Sequence, residues 1–279
     1  MEAIEQQLVI KHYRTIKKLA EGKLATVHLA FDESHHRLCS VKLQKIIDNE
    51  VKRCKSNQAF IKEISALKKA KHPFIIELID SFYWEPQNQP SRWVLVLEHA
   101  DGGTLYDTFI KPCKPPPDKH SLAWFAQLSL ALAHLNSLSI NKVNLNPYCI
   151  VIVGEKTGGV AKIGEMGYVT SDCIDKEGKL VSASRYYAPE QFNEEGVTKK
   201  NNWALGIVFY ELLTGGQHPF ESSFNEISYL TRLPKLEFRQ NSMISKDMKD
   251  LFKLLLEKNP LQRICIQDLL CRDIPIQGV

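Results

Sequence analysis

The chain has 279 residues, 44% hydrophobic and 24% charged, enough for one large domain or two small ones sharing a cleft. Lys and Arg number 36 against 32 Asp and Glu, a net charge of +4 with no long basic run, so neither nucleic acid nor a membrane is expected as a partner. No apolar run could span a bilayer, residues 1–12 lack the apolar centre of a signal peptide, and the seven cysteines contain no C-x-x-C pair, which points to reduced thiols in a cytoplasmic, alternatively nuclear, setting.

From Tyr13 to Ala30, alternating runs flank a turn centred on Gly22 and predict a hairpin. A third strand, Leu38–Leu43, carries Lys42, and lysine in a strand is by itself most often a solvated face. Phe60, Ile61, Ile64 and Leu67 recur at helical spacing around Glu63 and predict a helix over Gln58–Ala70, stopped before His72-Pro73. Phe74–Phe82 and Trp93–Leu97 read as two more strands, making five strands and one helix.

The pattern changes at the polar connector Glu98–Gly103. Beyond it the chain reads as helical over Thr104–Ile110, Leu122–Leu138, Asn201–Thr214 and Asp247–Glu257. Asn201–Thr214 is apolar all round and closed by Gly215-Gly216, so it is expected to be buried. Between these helices, Ile150–Val153 and Val160–Ile163 predict a second hairpin, which would set Asn144–Cys149 beside Glu165–Gly167. Sheet, connector, then helices with an inserted hairpin imply an α+β, two-lobed architecture with a cleft at the connector.

This order of motifs resembles the eukaryotic protein-kinase domain over nearly the whole chain. Val41-Lys42 stands where V-A-I-K would end, with Glu63 as its helix partner; Ala188-Pro189-Glu190 is an intact A-P-E; Trp203-Ala204-Leu205-Gly206 matches W-S-L-G; Arg263 sits where the family arginine pairs with the A-P-E glutamate. In this light Lys42 becomes a cleft residue. Leu145-x-Pro147 is more like the serine/threonine than the tyrosine kinases. The resemblance implies a single domain over residues 1–279: an N-lobe over about 13–98, a hinge over about 98–103 and a C-lobe over about 104–271.

A kinase must cradle phosphates, hold magnesium and orient a hydroxyl. G-x-G-x-x-G appears here as Ala20-x-Gly22-x-x-Ala25 with Val27 after it, which reads equally well as weakened phosphate cover or as an ordinary hairpin turn. H-R-D appears as Lys142-Val143-Asn144, so a carboxamide replaces the proton acceptor, at a cost of about 10²–10⁴-fold in rate, or about 3–5 kcal/mol of barrier. Val143 cannot pair with a phosphorylated loop, and Lys142 threatens the apolar spine through Leu67, Leu78 and Met166. Asn146 replaces the catalytic-loop lysine, and Cys149 replaces the metal-binding asparagine and is expected to be buried and inert. D-F-G appears as Glu165-Met166-Gly167; Glu165 could hold one metal weakly or pair with Lys42, and pairing is favoured.

By resemblance, nucleotide would rest on Gly22, Val27, Lys42 and Glu63 and on the connector residues Glu98 and His99, with Ser40 where alanine is usual beside adenine. ATP is then the candidate cofactor, with magnesium in doubt. The expectation is a pseudokinase, a scaffold or allosteric regulator whose partner is a protein, such as an active kinase or its substrate. The alternatives are an atypical serine/threonine kinase with weak ATP-dependent phosphotransfer, or an ATP sensor without turnover. Thr170, Ser171, Ser182 and Ser184 are candidate modification positions.

Overall fold

The structure is a computed structural model, and it describes residues 8–87, 89–140, 143, 145–154, 158–166, 185–192, 199–220, 236 and 244–272. Six antiparallel strands come first: β1 (Val9–Ile10), β2 (Tyr13–Glu21), β3 (Ala25–Asp32), β4 (Arg37–Gln44), β5 (Leu78–Trp84) and β6 (Arg92–Glu98), in the spatial order β1-β2-β3-β4-β6-β5. Strand β1 is an addition to the five expected strands. It is only two residues long and pairs Val9 with Arg14 and Ile10 with Tyr13, too short for alternation to be read from sequence.

Period-two alternation gives the sheet two distinct faces. Cys39, Val41, Leu43, Val94 and Val96 belong to one apolar cluster, together with Tyr13 and Ala30. Leu95 and Leu97 face the other way and join Phe60, Ile64 and Leu67 of helix α1 (Glu50–Lys69). On β4 that second face is polar: Ser40, Lys42 and Gln44, all buried. Gln44 donates to Ser56 Oγ and accepts the Trp93 backbone N–H, so one amide joins the helix to the sheet. Helix α1 begins eight residues before the predicted start. Its first two turns are polar and bury only Ser56, so they carry no apolar stripe, and the start is set by Asn49, whose side chain accepts the Lys52 N–H at 3.0 Å.

A short π-helical segment (Tyr106–Ile110) leads into α2 (Asp118–Ser137), then the hairpin β7 (Ile150–Val153) and β8 (Val160–Ile163). Helices α3 (Lys200–Thr214), α4 (Lys246–Leu255) and α5 (Ile266–Leu270) complete the described C-lobe. Among the described residues no helix is long and apolar enough to cross a membrane. Residues Asn201 to Leu212 of α3 are all buried. The helix ends at Gly215, whose φ of +69° is the left-handed conformation that stops a helix at little cost only in glycine. Gly206 allows close crossing with α4, since a Cβ there would lie 2.9 Å from Leu255 Cβ.

The hairpin is stitched to both neighbouring segments. Ile76 N–H donates to Ile163 O, and Ile163 N–H to Phe74 O, each at 3.0 Å. Gly102 N–H donates to Ile152 O and Ile152 N–H to Gly103 O. Residues 74–77, expected as the start of a strand, serve instead as this bridge, and β5 starts only at Leu78. Phe74 O and Ile76 N–H are taken by Ile163 of β8 rather than by the sheet, which is joined only at Glu77 O.

Glu190 and Arg263 form a buried two-pronged ion pair at 2.6 and 3.0 Å, and Arg263 also donates to the carbonyls of Glu257, Lys199 and Lys258. This joins the short 3₁₀ turn Pro189–Phe192 to the chain before α5. Arg263→Ala would leave the Glu190 carboxylate and three carbonyls without this donor in a buried site, and chemical denaturation should register a loss of about 3–5 kcal/mol.

His218 is buried, accepts the Phe220 N–H at Nδ1 and donates from Nε2 to Arg185 O, which requires the neutral ring. Burial, then the Arg185 charge, push it down from the usual 6.5 to about 3. The unfolded chain therefore takes up a proton that the folded one refuses as pH falls below about 6.5. Denaturation at pH 7 and pH 5 should show a loss of about 2 kcal/mol that His218→Gln abolishes.

Candidate active-site cleft

The register of the sheet builds the cleft wall. Val27, Lys42 and Leu95 are direct cross-strand partners on β3, β4 and β6, so their side chains share one face. Glu63 approaches that face from α1. Lys42 Nζ donates to Glu63 Oε1 at 2.8 Å and Oε2 at 2.9 Å, and to Glu165 Oε1 at 2.8 Å. An ammonium has three N–H donors, and these three oxygens use all of them. Burial disfavours the Lys42 charge, but the charges of Glu165 and Glu63 outweigh it and hold the ammonium above its usual pKa. Burial raises the Glu63 carboxyl, whereas at Glu165 the charge of Lys42 is the largest influence and lowers it. The Met166 backbone N–H adds a hydrogen bond to Glu63. Met166 and Leu67 are buried in one cluster, with Leu78 packed against it; Lys142 lies outside the described residues.

Glu165 remains half exposed, at 50% of its side-chain area. Its second oxygen faces Cys149 Sγ at 3.9 Å. Cys149 is buried, and burial, then the nearby Glu165 charge, push its thiol far above the usual value, so it stays protonated. Magnesium demands an octahedron of hard oxygens. One carboxylate oxygen already held by lysine, beside a protonated thiol, is not such a donor set. The base-binding end is more permissive: Val27 and buried Leu97 are apolar, and Ser40 is small.

Asn146 has a positive role that its reading as a lost lysine did not anticipate. It is buried, and its Oδ1 accepts the backbone N–H groups of Tyr148 at 2.9 Å and Cys149 at 3.2 Å, which holds the turn into β7. The sequence signal was available: asparagine two residues before the turn's end is an Asx-turn residue. Val143 is buried in the apolar core. Asn144 and Gly167 lie outside the described residues, as do Thr170, Ser171, Ser182 and Ser184.

Gly22 sits in the turn between β2 and β3, where its N–H bonds Ala25 O at 2.8 Å. A Cβ there would make ordinary contact, 3.6 Å from that oxygen, so the turn itself does not require glycine. At the connector, Glu98 is held by Lys162 of β8 with both oxygens at 2.8 Å. Lys162 was not singled out from sequence, because a lysine in a short hairpin reads as a solvated face. His99 Nδ1 lies 3.4 Å from Ser40 Oγ, and burial lowers the imidazole pKa, so the ring is neutral at pH 7. The structure thus gathers Val27, Lys42, Glu63, Cys149 and Glu165 along the cleft, with Glu98 and His99 at its connector.

A family model for the protein kinase domain matches residues 13–274. Human serine/threonine-protein kinase ULK3 is 29% identical over 256 residues, covering 90% of this chain and 52% of its own length. Aurora kinase A-B of Xenopus laevis is 24% identical over 270 residues, covering 96% of this chain and 63% of its own length. Human serine/threonine-protein kinase Nek5 is 28% identical over 265 residues, covering 93% of this chain and 36% of its own length. The chain thus spans between 36% and 63% of these relatives. With the curled antiparallel sheet, the helical second lobe and the Lys42–Glu63 and Glu190–Arg263 pairs in place, the chain belongs to the eukaryotic protein kinase domain family.

Proposed function

We propose that this kinase domain is a pseudokinase, which keeps the shape of a kinase and acts through that shape on a protein partner. The observation that carries the reading is the saturated Lys42 ammonium. In the family this lysine grips the α- and β-phosphates, and here Glu165 occupies the donor that phosphate would need. With Glu165 ionised the two carboxylates carry one negative charge more than Lys42, as they would with the family's aspartate. The replacement of the proton acceptor by Asn144 and of the metal-binding asparagine by Cys149 acts in the same direction. The same contacts hold α1 against the sheet through protein groups. That is what a scaffold or allosteric regulator of an active kinase, or of its substrate, needs. A reducing setting, cytoplasmic or nuclear, fits the six free cysteines among the described residues.

The apolar base-binding wall favours one second reading, a sensor that binds ATP without magnesium and without turnover. Ligand that binds only the closed form would stabilise it by mass action.

Calorimetric titration with ATP decides between them. The pseudokinase reading expects no magnesium-dependent binding, and Glu165→Ala, which frees one Lys42 donor and removes the excess charge, should raise ATP affinity at least tenfold. Metal-independent binding by the unaltered chain would select the sensor. In a phosphotransfer assay free of contaminating kinases, turnover should lie at least about 10²-fold below the 1–100 s⁻¹ usual for kinases. Turnover within that usual range that disappears in Lys42→Met would refute both readings.

A further inference from the structure

The end of the N-lobe away from the hairpin holds three metal-ligating groups that the kinase fold does not use. His12 stands in the two-residue turn between β1 and β2, where Lys11 adopts a left-handed φ of 56°. Asp32 ends β3 and His35 lies in the turn before β4. One ligand atom from each of His12, Asp32 and His35 lies within 4.8 Å of the other two. Nε2 of His12 is 3.6 Å from Asp32 Oδ1, and Nδ1 of His35 is 2.9 Å from Asp32 Oδ2. Zinc holds nitrogen and oxygen ligands at about 2.0–2.2 Å, which places neighbouring ligands of a tetrahedron about 3.4 Å apart. The His12–Asp32 separation falls near that value, while His35 Nδ1 and Asp32 Oδ2 stand at hydrogen-bond distance and would part by about half an ångström around an ion.

Two further observations point to a ligand. Asp32 is fully buried, its Oδ1 accepting the backbone N–H groups of Ser34 and His35, so the carboxylate is fixed before anything binds. His12 Nε2 is buried with no hydrogen-bond partner, at 3.6 Å from Asp32 Oδ1. A buried ring nitrogen left unsatisfied is costly, and a metal ion in front of it would supply the missing partner. Arg37 lies 3.6 Å from Asp32 Oδ2 and opposes a cation, but its side chain is 46% exposed and has solvent to move into.

We propose that His12, Asp32 and His35 bind a divalent ion of the zinc class. Two imidazoles and one carboxylate suit such ions rather than magnesium or calcium, which prefer oxygen alone. Three protein ligands leave a fourth position for water. The ion fastens the β1–β2 turn to the β3–β4 turn, and so fixes the short strand β1 at the sheet edge. It binds the folded chain and stabilises it by an amount that grows with the logarithm of its concentration once the site is saturated.

The test is calorimetric titration of the chelator-treated chain with zinc chloride, alongside His12→Gln and His35→Gln. Asp32 is left intact because its two backbone bonds hold the turn. The seven cysteines are the rival ligands, and both variants keep all of them. One site in the unaltered chain, weakened at least tenfold in each variant, is the expected result, with Arg37→Gln binding more tightly than the unaltered chain. Cobalt in place of zinc should give visible bands without the thiolate charge-transfer band of cysteine ligation. Absence of uptake, equal uptake by the histidine variants, a cobalt–thiolate band, or no tightening in Arg37→Gln would overturn the proposal.

Discussion

One ammonium group stands between two carboxylates at the junction of three elements, and the arrangement of the cleft follows from it. Lys42 comes from the sheet, Glu63 from α1, and Glu165 from the segment after β8. Lys42 and Glu63 are buried and each is costly to bury alone, whereas Glu165 is half exposed; short, charge-assisted bonds satisfy all three. Glu63 takes two of the N–H donors of Lys42 and leaves the third. Glutamate at position 165 reaches one methylene further than aspartate and takes that donor. The contact that fastens the segment after β8 to the sheet and α1 is thus also the one that completes the hydrogen bonding of Lys42.

The parts that hold shape and the parts that would do chemistry are separate in this chain. The hairpin β7–β8 is bonded to the segment before β5 on one side and to the connector on the other, and the Glu98–Lys162 pair reinforces the second attachment. Glu190 and Arg263 fasten the other end of the C-lobe. None of these contacts requires a phosphate, a metal or a proton acceptor. Asn146 follows the same logic: where a lysine would face the transferring group, an amide instead ties down the turn into β7. Packing and backbone bonding carry the architecture.

Much of the fold was legible where hydrophobic period and length agreed. The strands β2, β3, β4, β6, β7 and β8 and the buried helix α3 each have enough residues for alternation or an all-apolar run to register. Misreadings came where local pattern is silent. The first two turns of α1 are polar and depend on the Asn49 cap. The run at residues 74–76 is apolar like a strand, but Phe74 O and Ile76 N–H bond Ile163 of β8. Strand β1 has two residues, and only its partner on β2 defines it.

Residue identities alone decided which chemical groups the cleft can offer: an amide at 144, an amide at 146, a thiol at 149 and a carboxylate with an extra methylene at 165. Motif order alone also decided the two-lobed plan, because apolar periodicity is a local property of the chain. What only the tertiary structure decided is how those groups share partners. That Lys42 has no donor left, that Cys149 faces Glu165, and that His12 meets Asp32 depend on distances between segments apart in the chain. Hydrogen bonding and desolvation act over a few ångströms, and no spacing along the sequence encodes them.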